Sequence, residues 1–262
     1  MIDIHCHILP GLDDGPRTLE ESVEMCRIAA GDGIRTIAAT PHFKPGMFEH
    51  PALLVREKIE ALADALQAQN IDVRIVPGAD VCVTPELKQH IGSFDYLTLN
   101  KTGKYFLAEF PDVVPPQWEA FLLSFLDQGI TPIITHPERN RWFQDHRPAL
   151  YSFVSRGGML QLTAQSITGK FGPEVRTFSE FLLRHDLVHV LASDAHSLVD
   201  RPPILSEAIG IARNIIGSEQ ADALVTTIPE AILAGRKAPV PQPALHIDAP
   251  KRKSWIRRLT SL

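Results

Sequence analysis

Met1-Ile-Asp-Ile-His-Cys-His-Ile-Leu-Pro-Gly-Leu-Asp-Asp14 opens the chain with an alternation in which Asp3, His5 and His7 are interleaved with Ile2, Ile4 and Cys6. Successive side chains of an extended strand point to opposite faces, so His5 and His7 share one face and can reach a single metal ion. Pro10 and Gly11 then turn the chain into Asp13 and Asp14, adding hard carboxylate ligands to borderline imidazoles. Cys6 falls on the face opposite the histidines and is expected to be a small buried residue. His-x-His alone does not complete a site; matching groups must arrive from later strands.

Outward from this stretch, apolar runs recur, and most end in a histidine or a carboxylate. The run at 34–40 leads into Pro41-His42, the run at 73–77 leads through Gly78-Ala79 to Asp80, and the run at 105–108 ends at Glu109. The run at 130–135 ends in His136-Pro-Glu-Arg139, and that at 187–192 in Ser193-Asp194-Ala195-His196. A weaker strand over 159–163 carries Gln161 on one face. Amphipathic helices separate them. Thr18-Leu-Glu-Glu21 has the capping-box pattern ahead of Leu19, Val23, Cys26 and Ala30, and Val55, Ile59, Leu62 and Leu66 mark a second helix. Trp118, Phe121, Leu122, Phe125 and Leu126 mark a third, closed by Gly129, and their aromatic stripe reads as packing. Leu205, Ala208, Ile209, Ala212 and Ile216 mark a fourth. Strand then helix, repeated about seven times, makes an α/β fold with a parallel sheet, and so many units favour a closed barrel over an open sheet.

In such a barrel the C-terminal strand ends share one rim. His5, His7, Asp14, His42, Asp80, Glu109, His136, Asp194 and His196 are all expected there. Nine imidazoles and carboxylates exceed what one ion takes, so two or three cations sharing bridging carboxylates are expected. Histidine with carboxylate and no thiolate suits Mn²⁺, Fe²⁺ or Zn²⁺.

Composition bounds the remaining possibilities. The 262 residues suit one large domain or two small ones, and a formal charge of −5 gives no bulk affinity for nucleic acid. No N-terminal basic region precedes an apolar run, and no stretch approaches the roughly 18 apolar residues of a membrane span, so a cytoplasmic protein is expected. Cys6, Cys26 and Cys82 are odd in number and scattered, which argues against a disulfide framework.

Taken together, His5-x-His7, Asp13-Asp14-Gly-Pro, Thr40-Pro-His42, Gly46-Met-Phe-Glu49, Gly78-Ala-Asp80, Glu109-Phe, His136-x-Glu-Arg139 and Ser193-Asp-x-His196 with Arg201-Pro-Pro resemble the PHP (polymerase and histidinol phosphatase) superfamily. More narrowly, the set resembles its manganese-dependent protein-tyrosine phosphatases of bacterial capsule and exopolysaccharide operons. The resemblance implies a distorted (β/α)7 TIM-like barrel of PHP type over residues 1–238, followed by a Pro-rich linker and basic C-terminal tail over 239–262. It implies a trinuclear centre, most simply of Mn²⁺. His5, His7, Asp80 and Asp194 would hold one ion; Asp80, Glu109 and His136 the second; Asp14, His42 and His196 the third. Glu is expected where this chain has Asp80, and the shorter aspartate needs a shifted strand end or one-oxygen binding to bridge two ions. The implied substrate is the phosphotyrosine-rich C-terminal tail of a bacterial tyrosine autokinase that controls polysaccharide export.

Bound metals lower the pKa of a water toward ~7 and clamp phosphate oxygens. Arg139 and Arg201 follow candidate ligands closely and are suited to bidentate phosphate binding. A cysteine phosphatase needs Arg six positions after Cys, whereas Leu12, Asp32 and Lys88 follow the three cysteines at that distance. Asp13 or a metal-bound water is the available acid for the leaving phenolate. Lys44, Met47 and Phe48 form a cationic and apolar loop beside His42, suited to contacting an aromatic ester and an acidic peptide. The stretch Lys251-Arg-Lys-Ser-Trp-Ile-Arg-Arg-Leu-Thr-Ser-Leu262 would, if helical, align Trp255, Ile256, Leu259 and Leu262 for weak membrane-surface or partner contact, placing the protein at the inner face of the membrane. Two rival functions use the same residues: a PHP-type small-molecule phosphatase such as histidinol phosphatase, and a catalytically weak kinase-docking module. An amidohydrolase also opens with His-x-His, but it often uses a bridging lysine where Glu109 stands.

Overall fold

The computed structural model describes residues 1–240 and 243, so the basic stretch at 251–262 lies outside the described residues. β1 (Ile2–Cys6), β2 (Thr36–Ala39), β3 (His42–Phe43), β4 (Arg74–Pro77), β5 (Asp80–Cys82), β6 (Tyr105–Glu109), β7 (Thr131–Thr135), β8 (Met159–Thr163) and β9 (Val190–Ala192) follow in chain order. All pair in parallel, in two sheets: β1-β2-β4 and β3-β5-β6-β7-β8-β9.

Seven apolar runs become nine strands because two of them break. Pro41, with no N–H to donate, interrupts the second run between Ala39 and His42. The third breaks at Gly78-Ala79, where a Cβ on Gly78 would meet Leu99 and Thr40 side chains at 3.0 Å. β2 pairs with β4 in one sheet, and their continuations β3 and β5 pair in the other, with His42 opposite Asp80. At the other side the ends of β1 and β9 meet: Asp194 N donates to His5 O at 2.8 Å, and His7 N to Ala195 O at 2.9 Å. Both junctions fall at the C-terminal strand ends, where the candidate ligands stand.

The helices largely follow the apolar periodicity. The first spans Leu19–Gly31, with the Thr18 hydroxyl accepting from Glu21 N. The reciprocal half of the box is shifted, since Glu21 accepts from Arg17 N at 2.6 Å. The second spans Ala52–Ala68 and buries Val55, Leu62 and Leu66. The third stops early, at Leu123; a 3₁₀ turn at Leu126–Gln128 and a left-handed Gly129 complete the span. Its aromatics pack as expected: Trp118 lies edge-on to Phe110 and Phe143, and Phe125 against Phe106. All three cysteines are free and buried.

Candidate metal centre

The nine residues expected at the rim come together. Four overlapping groups of side chains bring ligand atoms within 4.8 Å of one another: His7, Asp14, His42 and His196; His5, His7 and Asp80; His5, His136 and Asp194; and His42, Asp80 and Glu109. Every expected ligand belongs to at least one group, and no cysteine belongs to any. His42 is drawn toward the second expected set as well as the third, with Nδ1 3.2 Å from Glu109 and 3.6 Å from Asp80. His7 likewise belongs as much with His196, their ring centroids 3.8 Å apart, as with His5.

Local backbone geometry aims these groups inward. His136 and Asp194, each just past the end of a strand, adopt φ of +35° and +53°. Left-handed backbone is costly for residues with a side chain and concentrates at functional sites. Gly15, in the Asp13-Asp14-Gly-Pro turn, packs so closely that a Cβ would lie 2.6 Å from His7 O.

The donor set fits cations better than it fits itself. Asp80 Oδ2 is buried without a hydrogen-bond partner, while its Oδ1 accepts from the Thr135 hydroxyl at 3.2 Å. Around that free oxygen stand His5 Nε2 at 3.4 Å, His42 Nδ1 at 3.6 Å and His136 Nε2 at 3.9 Å. His5 Nε2 and His7 Nε2 face each other at 3.2 Å, so at most one proton can lie between them. Burial pulls the His5 pKa down, but the Asp80 and Asp194 carboxylates outweigh it and push the ring up to about 9. Burial and the neighbouring His196 push His7 down to about 3. Adjacent imidazoles driven in opposite directions, beside a carboxylate oxygen with no donor, are what ligands look like when the positive charge they are built for is not supplied by protons.

Several residues outside the expected set orient the ligands. Gln161 Oε1 lies 3.0 Å from His5 Nδ1, fixing the ring through its far nitrogen. Asp3 accepts from Ser193 N and Oγ and from His5 N, tying β1 to the Asp194 turn. Burial raises the Asp3 carboxyl to about 6 against those bonds. Glu138, buried between His136 and Arg139, accepts from Thr163 N at 3.1 Å and the Ser166 hydroxyl at 2.6 Å. Two of these were signalled in the sequence: Asp3 by its place in the opening alternation and Gln161 as a polar residue on an apolar strand. Glu138 had no signal beyond its place in the His-x-Glu-Arg motif.

Asp13 departs from the expected role of proton donor. Its Oδ2 accepts from His7 Nδ1 at 2.6 Å and from His42 N at 2.9 Å, and its Oδ1 from Gly15 N at 3.0 Å. Burial would raise its pKa, but His7 outweighs it and holds the carboxyl at about 2. Asp14, half open to solvent, is held well below the usual range by the His196 hydrogen bond.

Asp194 divides two halves of the site. Its Oδ1 faces His5 at 3.4 Å and His7 at 3.6 Å, while its Oδ2 lies 2.8 Å from Arg139 Nη2 and 2.6 Å from Arg201 Nη2. The guanidinium groups keep Nε of Arg139 and Nε and Nη2 of Arg201 without a hydrogen-bond acceptor. Arg201 Nη2 is thus close to Asp194 but poorly aligned with it. Arg139 also lies over the Phe171 ring at 5.1 Å. Phe48 stacks on His42, ring centroids 5.8 Å apart and planes 20° from parallel. Lys44 is exposed at the start of the same tight turn, closed by paired Lys44–Phe48 backbone hydrogen bonds.

The sequence family described as capsular polysaccharide synthesis, CpsB/CapC, matches residues 1–234. The chain belongs to the CpsB/CapC family. Among relatives of the family, the tyrosine-protein phosphatase YwqE of Bacillus subtilis is 40% identical over 220 residues, covering 84% of this chain and 86% of the relative. The tyrosine-protein phosphatase CpsB of Streptococcus pneumoniae is 32% identical, covering 89% and 98%. A chain from the crystal structures of Bacillus subtilis YwqE and Streptococcus pneumoniae CpsB, described as metal-dependent tyrosine phosphatases, superposes with a TM-score of 0.88 at 37% identity, covering 93% of this chain and 98% of that one. The histidinol phosphate phosphatase of Lactococcus lactis shares the fold at 15% identity, with a TM-score of 0.56 over 84% and 93% of the two chains.

Proposed function

We propose that this CpsB/CapC protein is a metal-dependent protein-tyrosine phosphatase that hydrolyses phosphotyrosine on the C-terminal tail of a bacterial tyrosine autokinase controlling polysaccharide export. The observation that carries the reading is the division at Asp194: the other eight candidate ligands on one side, two guanidinium groups with unpaired N–H donors on the other. A ligand cluster alone would suit many hydrolases. A cluster flanked by two arginines suits a phosphate ester.

We read the two parallel sheets as parts of one distorted (β/α)7 barrel over residues 1–238, with 239–262 as a linker and basic tail. The centre is proposed to hold three Mn²⁺ ions, with Fe²⁺ or Zn²⁺ as alternatives of the same donor preference. His5, His7, Asp80 and Asp194 would hold the first, Asp80, Glu109 and His136 the second, and Asp14, His42 and His196 the third. When bound, such ions acidify water and neutralise charge building up on phosphoryl oxygens. Arg139 and Arg201 bind and orient the phosphoryl group with the N–H donors that Asp194 leaves free. Asp194 in turn fixes both guanidinium planes. Phe48 and Lys44 border the entry for the tyrosyl ring. Asp13 positions His7 and is assigned no proton transfer to the leaving phenolate, since three N–H groups bind its oxygens and keep it ionised.

No helix among the described residues is long and apolar enough to cross a membrane. We place the enzyme in the cytoplasm, where unpaired cysteines persist, with its basic tail against the inner membrane face near the kinase. Protein purified without chelators is expected to carry about three metal ions. It should hydrolyse a phosphotyrosine peptide with a far higher kcat/KM than histidinol phosphate. The reverse preference would replace this reading with a small-molecule phosphatase. Negligible turnover by the fully loaded protein would favour a docking module.

A further inference from the structure

With two exceptions, every described phenylalanine, tryptophan and tyrosine either belongs to the hydrophobic core or packs against it. The exceptions are Phe48 and Phe171, and each lies on a group of the centre. Phe48 stacks on His42. Phe171, half-buried, lies against the Arg139 guanidinium, whose central carbon is 5.1 Å from the ring centroid. The ring of Phe171 is therefore not placed by the core. Its partner is one of the two cations that flank Asp194.

The stretch that carries this ring, 164–172, is fastened to both arginine-bearing loops. The Ser166 hydroxyl donates to Glu138 at 2.6 Å, within the 3₁₀ turn Pro137–Arg139, and Gln165 Nε2 donates to Asp200 O at 2.9 Å, one residue before Arg201. Ala164 and Ile167 are buried and anchor the stretch to the core. Lys170 N donates to Gln165 O and Gly172 N to Gly169 O, both at 3.0 Å, closing the turn on which Phe171 stands. Asp194 meets Arg139 by its edge, through Nη2 at 2.8 Å, while Nε is buried without an acceptor. A ring against the face adds a second hold on a plane that Asp194 grips only from the edge.

We infer that Phe171 is a positioning residue for phosphate binding: its ring sets the plane of the Arg139 guanidinium so that the donors Asp194 does not use meet the phosphoryl oxygens. This rests on the phosphatase reading and adds a residue to its machinery. Phe171 acts through the arginine and not through the ions, so its loss weakens phosphate binding and leaves the metal in place.

The test is a double-mutant cycle on the Mn²⁺-loaded full-length protein, read as the calorimetric Kd for inorganic phosphate and as kcat/KM for p-nitrophenyl phosphate and a phosphotyrosine peptide. Phe171→Ala and Phe171→Leu should each weaken phosphate binding and lower kcat/KM about two- to fivefold, the size of a cation–π contact bordering solvent, with metal content unchanged. Phe171→Tyr keeps the aromatic face and should stay at wild-type values. In an Arg139→Ala background, Phe171→Ala should make no further difference. Wild-type phosphate affinity in Phe171→Leu overturns the inference, and so does an undiminished effect of Phe171→Ala once Arg139 is gone. Metal lost in step with phosphate affinity also overturns it, since the ring would then be holding the centre and not the arginine. A loaded wild type that binds phosphate but turns over neither substrate would instead sink the phosphatase reading, and the phosphate cycle would still decide the role of Phe171.

Discussion

His5 and His189 are both buried imidazoles on the same parallel framework, at opposite ends of its strands, and they have opposite surroundings. At the C-terminal end, His5 faces another imidazole and two carboxylates, and the carboxylates push it up to about 9. At the N-terminal end, just before β9, His189 Nδ1 accepts from Leu160 N at 3.0 Å while its own backbone N donates to Leu160 O. Burial pulls it down to about 4, with no carboxylate to oppose the fall. A cavity of about 390 Å³ opens beside His189, lined also by the first residues of β6, β7 and β8. Open volume and buried histidine therefore do not mark a site in this protein. Titratable groups that fail to satisfy one another do.

The largest effect expected from that contrast is at Asp194. Asp194→Asn keeps the shape but removes the charge that both arginines and three imidazoles share, and kcat/KM should fall at least about 10³-fold. Bound metal, measured by elemental analysis, should fall with it. Full activity in a metal-replete Asp194→Asn protein would erase the distinction between the two ends. Removing metal from the wild type with a chelator should abolish turnover and lower Tm. Ligands binding only the folded state stabilise by about 4 kcal/mol at a thousand times their Kd.

Next comes Asp80, where a glutamate was expected. The third run breaks at Gly78-Ala79, and β5 starts afresh at Asp80, in register with His42. Its free oxygen already stands within 4 Å of three imidazoles. Asp80→Glu should therefore push a methylene into a filled site and lower kcat about tenfold to a hundredfold, the cost of an ångström's misplacement. A large rise in kcat would show that aspartate had impaired the centre and would revive the docking-module alternative.

Gln161 gives a smaller effect because it acts through His5. Gln161→Leu should weaken metal binding about 10- to 100-fold while saturating metal restores most of kcat. Isothermal titration of the metal-free protein measures the first and kinetics at high Mn²⁺ the second. Unchanged affinity would mean that His5 needs no partner on its far nitrogen.

How much of this was legible beforehand follows the chemistry. Most of the candidate ligands could be read because they follow apolar runs, and a histidine or carboxylate at the end of an apolar run has few other meanings in a parallel fold. The strand breaks could not: a proline after Thr40 and a glycine after Pro77 were visible, but only the packing of Leu99 and Thr40 against Gly78 makes that break necessary. Asp13 looked free to donate a proton because sequence shows that it neighbours Asp14 and not that it lies under His7. Glu138 could not be found because its partners, Thr163 and Ser166, belong to another strand and the helix after it. Motifs expose residues that point at a ligand; those that point at other residues emerge only from the fold.

The smallest effect on catalysis, and the sharpest control, is expected at His189. Its folded-state pKa lies below the ordinary 6.5, at about 4. Between those values the unfolded chain binds a proton that the folded protein refuses, so the stabilising contribution is full above pH 6.5 and is lost as pH falls toward 4. Complete loss is about 3 kcal/mol for a shift of this size. His189→Gln retains an acceptor for Leu160 N but cannot titrate, and His189→Leu removes the acceptor and should cost about 1–3 kcal/mol at pH 7.5. Denaturant melts of wild type and His189→Gln should therefore differ by an amount constant above pH 6.5 and shifting against wild type below it. Both variants should keep wild-type kcat/KM and metal content when folded. A pH-independent difference would mean that His189 is not held neutral by its surroundings. Lost metal or activity in His189→Gln would couple the two ends of the strands, and the separation between a satisfied histidine and a ligand would then have to be drawn by something other than their hydrogen bonds.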